Sequence, residues 1–436
     1  MGMWKKIGVL ALCVCMALSM FAGIGGAGAE PEKVTIDYYT FAQDEDTNPV
    51  IEAFMKDYPH IEVRVNIVPD NSERMTNQDI VALGGGAIDI MTMTGTSHWE
   101  RAENGMLAPL DEFIEKQGVD MAANFGTYKD WVQMDGKYYA YPLRVPVNAV
   151  FYNKDLFDAA GIPYPADDWT VADYLAIAEK LTSGEGPDKV YGAYTETWDC
   201  WWAFFAVQKA SWYKEDGTSN ADDPLFRDAL QMRFDLDSRG IQKSYTEIRS
   251  SKTSNAMEFV NGRAAMVPIG AYMVRTVKMA DPPVTFKTGC VAMPRLDETV
   301  PPNTTTGNVA TLGVLSTSKH KEEAFTFIRY YIEQGALEIA NRGQIPAYIP
   351  AYGDEMKALF ISGSGLAVED VSPLFDPNLT MISHMPVGTA GVEYNKIIVE
   401  ESSLYFSGEK SLDDTVSAIK TRADAAIAEA LAEKAN

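Results

Sequence analysis

One stretch constrains this chain more than any other. Residues 150–156 read Val-Phe-Tyr-Asn-Lys-Asp-Leu, and Phe157, Asp158, Ala159, Ala160 and Gly161 follow at once. An apolar run of strand character meets a polar turn at Asn153, and a short amphipathic helix begins. Gly161 stops that helix, with Pro163 and Pro165 just beyond it. The same alternation of strand and helix governs the region before it. Val34, Ile36 and Tyr38 alternate as a strand. Asn48-Pro49 opens a helix with proline at its first position and Val50, Ile51, Phe54 and Met55 on its apolar face. Ile61, Val63, Val65 and Ile67 alternate again. Ser72 can cap a further helix, which Gly84-Gly85-Gly86 ends before a strand at residues 88–93. Strand–helix–strand–helix–strand at this spacing predicts an α/β domain with a parallel sheet. The triple glycine follows a helix and precedes a strand, the reverse of what a phosphate cradle requires, so it reads as a linker.

A second α/β unit begins near Val147. A helix is expected over residues 171–181 with Thr170 as its cap, a strand over 190–194, and a helix over 225–236. A helix at 255–260 should stop at Asn261-Gly262 before a buried strand. Later helices are expected at 321–334, 353–360, 393–406 and 412–435. No internal repeat or low-complexity tract interrupts this order.

The amino terminus has the form of a secretory signal. Lys5 and Lys6 precede an uncharged apolar run over residues 7–21, and Ala27-Gly28-Ala29 offers small residues where signal peptidase reads. Cleavage is expected after Ala29. Leu12 and Val14 stand before Cys13 and Cys15, where a lipoprotein signal wants a small residue, so no lipid is expected. The remaining chain is long enough for two domains. Its formal charge is −24 even with both leader lysines counted, so nucleic acid and anionic lipid would repel it. Cys200 and Cys290 are expected as two buried single thiols, in lobes that move apart. None of His60, His98, His320 and His384 is in metal-ligand spacing with another His or Cys, so neither metal nor cofactor is expected.

Several sequence words fall in one order. They include Ala82–Ile90 (ALGGGAIDI), Glu103–Phe113 (ENGMLAPLDEF), Asp135–Pro142 (DGKYYAYP) and the Val150–Leu156 word itself. Further on come Trp169-Thr170, Phe259–Met266 (FVNGRAAM), Ser316–Phe325 (STSKHKEEAF) and Gly343–Pro346 (GQIP). Together they resemble the bacterial extracellular solute-binding proteins, the maltose-binding-protein-like capture subunits of sugar ABC importers. Trp169-Thr170 departs from that pattern by reversing its "TW" pair.

The resemblance implies a type II periplasmic-binding-protein fold: two α/β lobes joined by a hinge, closing on a ligand in the cleft between them. Lobe one is expected over 30–143 plus 284–333, and lobe two over 144–283 plus 334–436. The chain should be exported to the periplasm or extracytoplasmic surface, act as a monomer, deliver its ligand to ABC permease subunits, and not be an enzyme.

Ligands of open α/β sheets sit beyond the carboxyl ends of strands. The loop after the first strand offers Phe41, Gln43, Asp44 and Glu45, and the loop after the third offers Thr96, Ser97, His98 and Trp99. Arg144 lies beside the first crossing. Trp198, Asp199, Trp201 and Trp202 follow the 190–194 strand. Gly270 and Tyr272 follow the 265–268 strand, where the family often carries Gly-x-Trp. Asn308 and Arg342 complete the candidates. Acids, amides and arginine bond sugar hydroxyls directionally, and flat rings stack on sugar C–H faces. Trp201 and Trp202 read equally as core, and Asp44 and Glu45 as loop acids. A sugar or oligosaccharide is the expected ligand; polyol phosphate, polyamine and ferric ion are alternatives. A secreted glycoside hydrolase is the rival class, but acids alone do not identify one. The string Ser362-Gly363-Ser364-Gly365 follows a helix and lacks the first glycine of a nucleophile elbow.

Overall fold

A computed structural model describes residues 32–42, 45–68, 81, 84, 87–94, 97–197, 199–376 and 379–435. The expected signal segment, its Ala29 cleavage point, the helix opening at Ser72 and most of the glycine linker lie outside the described residues. So do the site candidates Gln43, Asp44, Thr96 and Trp198.

The first sheet has five strands in the order β2-β1-β3-β12-β6. They are β1 (Val34–Thr40), β2 (Ile61–Ile67), β3 (Ile90–Met93), β6 (Tyr141–Arg144) and β12 (Ala310–Val314). β1 runs parallel to β2 and β3, as expected. β12 is antiparallel to both β3 and β6, so the sheet is mixed rather than parallel. A small hairpin of β4 (Gln133–Met134) and β5 (Lys137–Tyr138) precedes β6.

The second sheet has four strands in the order β10-β7-β9-β8. They are β7 (Asn148–Asn153), β8 (Tyr191–Ala193), β9 (Ala264–Gly270) and β10 (Thr288–Val291). Every residue of β7 and β9 is buried, which explains their unbroken apolar runs. A further pair, β11 (Thr304–Thr306) with β13 (Thr380–Ile382), runs parallel beside the crossings.

Local chemistry sets the helix boundaries. Asn48 caps the helix Pro49–Asp57 by accepting from the Val50 N–H. Asn153 does the same for Lys154–Ala160, accepting from Asp155 and Leu156, and Gly161 closes that helix in the left-handed conformation. Thr170 and Asp173 form a reciprocal capping box on Val171–Leu181. The helix Lys321–Glu333 buries Phe325, Phe327 and Ile328 under the first sheet. A second core gathers Cys200, Trp202, Trp212, Phe226 and Tyr394 between the helices Pro224–Ser238, Gly391–Phe406 and Leu412–Ala435. No described helix is long and apolar enough to cross a membrane.

Two expectations change. Segment 284–291 was expected to return to the first lobe, but β10 pairs antiparallel with β7, so the chain rejoins the first sheet only at β12. Cys200 and Cys290 are both free and buried, as expected. They are not held apart by lying in different lobes, because Cys290 belongs to the second sheet: Cys200 faces His384 and Asn395, whereas Cys290 stands opposite Phe151 in the sheet.

The helix Val171–Leu181 packs closely on β8 at Gly192. A Cβ there would lie 1.8 Å from the carbonyl oxygen of Ala178 in the helix that covers β8. Gly192→Ala should therefore lift that helix and cost about 2–3 kcal/mol of stability. Urea denaturation checks this, and an unchanged midpoint would show that the helix moves freely over the strand.

Candidate functional site

Strand direction decides where the two sheets meet. β1 and β3 finish at the edge where antiparallel β12 begins and β6 ends, because Arg144 pairs with Ala310. In the second sheet, β8 and β9 finish at the edge where β7 begins, because Gly270 pairs with Asn148. Residues 145–147 are all that separate β6 from β7. The carboxyl ends of β1, β3, β8 and β9 therefore open onto one cleft across this crossing.

Two more segments run beside it. Val145 donates its N–H to the Ile345 carbonyl and Ala347 to the Leu143 carbonyl, at 2.9 and 3.0 Å, so residues 345–347 lie alongside residues 143–145. Thr305 Oγ1 donates to the Asn148 carbonyl at 2.6 Å, and Asn148 Nδ2 donates to Thr306 Oγ1 at 2.9 Å. Arg144 is the central residue of the three, bridged to Ala310 on one side and Pro346 on the other.

On the first-sheet side, the Arg144 guanidinium lies over the half-buried Phe41 ring, 5.7 Å from its centroid. Asn308 is half-buried between β11 and β12. Trp99 is half-buried on the helix Ser97–Glu103, and that helix touches Gly391–Phe406 from the second-sheet side. Ser97 itself is buried, its hydroxyl donating to the Thr94 carbonyl at 2.8 Å.

On the second-sheet side, Tyr272 is half-buried and folds back over Gly270. A Cβ on Gly270 would lie 2.5 Å from Tyr272 Cε1, so this glycine makes room for the ring. Burial pushes the Tyr272 phenol above its ordinary pKa, and the nearby Glu196 carboxylate adds to that shift. The hydroxyl stays protonated and can donate. Glu196 was not among the sequence candidates. It stands three residues beyond the end of β8 and is buried, accepting from the Thr197 and Asn255 N–H groups at 3.0 Å each. An acid just past a strand end, beside an aromatic cluster, is the signal the sequence carries for it.

Other candidates have partners within the protein. Glu45 is buried and accepts from Tyr331 Oη at 2.6 Å and Asn48 Nδ2 at 2.9 Å, which ties the loop after β1 to the helix beneath. Trp202 stands edge-on to Trp212 inside the second core, and Trp201 is buried against Phe204. Asp199 is buried beside His384. Arg342 pairs with Glu338 one helical turn back, at 3.0 Å. Ser364 donates to the Ile361 carbonyl at 2.6 Å and finishes a helix, as expected of a loop serine.

A cavity of about 620 Å³ opens on the β10 flank of the crossing. Asn148, Asp167, Asp168, Met293, Thr304 and Asp376 are among the residues that line it, and none of the sequence candidates does.

The description of bacterial extracellular solute-binding proteins matches residues 42–338, more than half of this sequence. The chain belongs to that family. It is similar to the multiple sugar-binding protein of Streptococcus mutans, 23% identical over 371 residues, covering 78% of this chain and 81% of that one. An ABC substrate-binding protein of Listeria monocytogenes, solved with cycloalternan, superposes with a TM-score of 0.77 at 22% identity, over 91% of this chain and 100% of that one. A sugar transporter of Rhizobium etli in an open conformation superposes with a TM-score of 0.73 at 26% identity, over 90% and 99%. The two-lobed solute-binding fold is thereby shown, and the family is one of binding proteins.

His98 carries a consequence for stability. It is buried, with Nε2 2.6 Å from the Trp131 carbonyl. Burial, with the Arg101 charge adding, lowers its pKa from 6.5 to about 4 despite that hydrogen bond. The unfolded chain takes up this proton first, so stability should fall as pH drops from about 6.5 to about 4, by about 3 kcal/mol from this group. His98→Gln should flatten that part of the profile. Denaturation midpoints at pH 7 and pH 4.5 measure it, and an equal slope in both proteins would exclude His98 as the cause.

Proposed function

We propose that this chain is the exported substrate-binding component of an ABC importer, capturing a sugar or oligosaccharide between its two lobes and handing it to a membrane permease. The single observation that carries the reading is the apposition across residues 144–148. A ring and a guanidinium stand at one sheet edge, in Phe41 and Arg144. A ring and a carboxylate stand at the other, in Tyr272 and Glu196. Flat apolar faces beside directional donors and acceptors suit a pyranose, whose C–H faces stack while its hydroxyls bond. The sugar-named relatives support the same ligand class. The family supports export, and the Lys5–Ala29 segment supports removal of a signal peptide before Glu30, without lipid.

Binding would be non-covalent and would end with release rather than turnover. The lobes would divide at the crossings, with the first sheet and the helix Lys321–Glu333 in one and the second sheet and second core in the other. The helices Ser97–Glu103 and Gly391–Phe406, now in contact, would part to admit ligand.

A thermal-shift screen of mono- and oligosaccharides should find a ligand that raises the melting temperature by mass action. Small-angle scattering should then give a smaller radius of gyration at saturation than without ligand. A radius that does not change would exclude closure on a hinge.

With that ligand, Tyr272→Ala should weaken binding by about 1–3 kcal/mol with little loss of stability. Asp168→Ala, in the cavity on the β10 flank, should leave affinity unchanged. Calorimetric titration decides between the two concavities: the opposite pattern would move the site to the β10 flank.

A further inference from the structure

Outside the cleft, three groups from distant parts of the chain converge in the interior. Asp199 and Cys200 lie in the loop that follows β8, and His384 lies just after β13. A carboxylate oxygen of Asp199, the Cys200 sulfur and a ring nitrogen of His384 all lie within 4.8 Å of one another, and all three residues are buried. His384 is only 4% exposed, yet among the described residues its ring nitrogens make no short hydrogen bond. Its Nε2 is 3.5 Å from Asp199 Oδ2, beyond a good hydrogen bond. A buried imidazole whose one polar side-chain contact is this long approach to Asp199 is weakly satisfied, which favours something occupying the space it faces.

The surroundings hold these groups in place. The His384 carbonyl accepts from Trp212 Nε1 at 2.8 Å, and the rings of Phe204 and Trp201 stand edge-on to the imidazole at 4.8 and 6.1 Å. Asp199 Oδ1 accepts from the Cys200 N–H at 2.7 Å. Asn395, on the helix Gly391–Phe406, places Oδ1 3.3 Å from the Cys200 sulfur. One carboxylate, one thiol and one imidazole therefore lie close enough together to share an ion, and the Asn395 amide oxygen beside the sulfur can supply the fourth donor that tetrahedral coordination needs.

We propose that Asp199, Cys200, His384 and Asn395 form a structural site for a thiophilic divalent cation of the zinc class, separate from the ligand cleft. The mixed sulfur, nitrogen and oxygen set suits zinc or cobalt(II) and is wrong for magnesium or calcium, which take oxygen ligands alone. On binding, Cys200 coordinates as the thiolate and its S–H proton leaves to solvent. No electron is transferred. The ion would tie the loop beyond β8, which carries Glu196 toward the cleft, to the carboxy-terminal helices. This site does not depend on the sugar reading, and its test uses no sugar.

The chain from residue 30 onward has Cys200 and Cys290 as its thiols. Because the donors are buried, the protein is unfolded under reducing conditions, stripped with a chelator and refolded with cobalt(II). About one cobalt per chain is expected, with a thiolate-to-cobalt charge-transfer absorption and tetrahedral d–d bands. Zinc, in competition with a chromophoric chelator, should displace it. Cys290→Ser should keep the absorption. Cys200→Ser should lose it and weaken zinc binding by more than about 100-fold. Should Cys200→Ser fail to fold, the Cys290→Ser protein still decides, since Cys200 is then its sole thiol. Absence of cobalt binding, binding without the thiolate band, or a band that survives in Cys200→Ser would each overturn the proposal.

Discussion

Everything else in this molecule depends on how residues 143–148 are hydrogen-bonded. That segment ends one sheet and begins the next, and it is flanked by two other crossings. Arg144 bridges Ala310 and Pro346 at once, so its backbone position is fixed from both sides while its side chain is left to project over Phe41. A few extended residues sharing hydrogen bonds with two neighbours can twist without breaking their pairing. A rotation spread over such strands moves whole lobes while each sheet keeps its register. The same geometry puts the carboxyl ends of both sheets at one cleft, so the place where the chain bends is also the place where ligand would be gripped.

Rigidity on either side is what makes a hinge there useful. β7 and β9 are buried along their whole length, and the first sheet rests on Phe325, Phe327 and Ile328 of one helix. Glu45 adds to this on the cleft side. Its hydrogen bonds to Tyr331 and Asn48 fasten the loop after β1 to the scaffold. A residue expected from sequence as a ligand contact or a loop acid is thus held where it positions the loop that carries Phe41. Gly270 acts in the same way on the other side, since the absence of its side chain lets the Tyr272 ring lie back against the strand end. The aromatic faces of the cleft are thus set by backbone features, which limits the rotamer freedom lost when a ligand arrives.

What could be read in advance follows from the range of the forces. Helix starts at Asn48, Asn153 and Thr170 depend on a side chain and an N–H within three residues, so the sequence displays them directly. Buried strands such as β9 announce themselves by an unbroken apolar run. β10 did not, because Thr288-Gly289-Cys290-Val291 has neither alternation nor length, and only its pairing with β7 makes it a strand. The two aromatic candidates in the loop after β8 that the structure describes show the limit for sites. Trp201 and Trp202 are adjacent and equally apolar, yet they pack into different cores, which depends on helices that come two hundred residues later. His384 and Cys200 likewise share no spacing that a sequence pattern could report.

The position of Glu196 joins these threads. A buried carboxylate is unfavourable unless its oxygens are satisfied. Here the Thr197 and Asn255 N–H groups accomplish that, the second from the start of the helix Asn255–Val260. The carboxylate is thereby held close to Tyr272, and among the described residues no lysine or arginine side chain pairs with it. Burial, with this carboxylate adding to it, raises the phenol's pKa, so the ring edge carries a hydrogen-bond donor. A ring face, a donor and an acceptor brought side by side from β8 and β9 are what a polyhydroxylated ligand can use. Because backbone N–H groups rather than lysine or arginine satisfy that acceptor, ligand hydroxyls would not have to displace an ion pair to reach it.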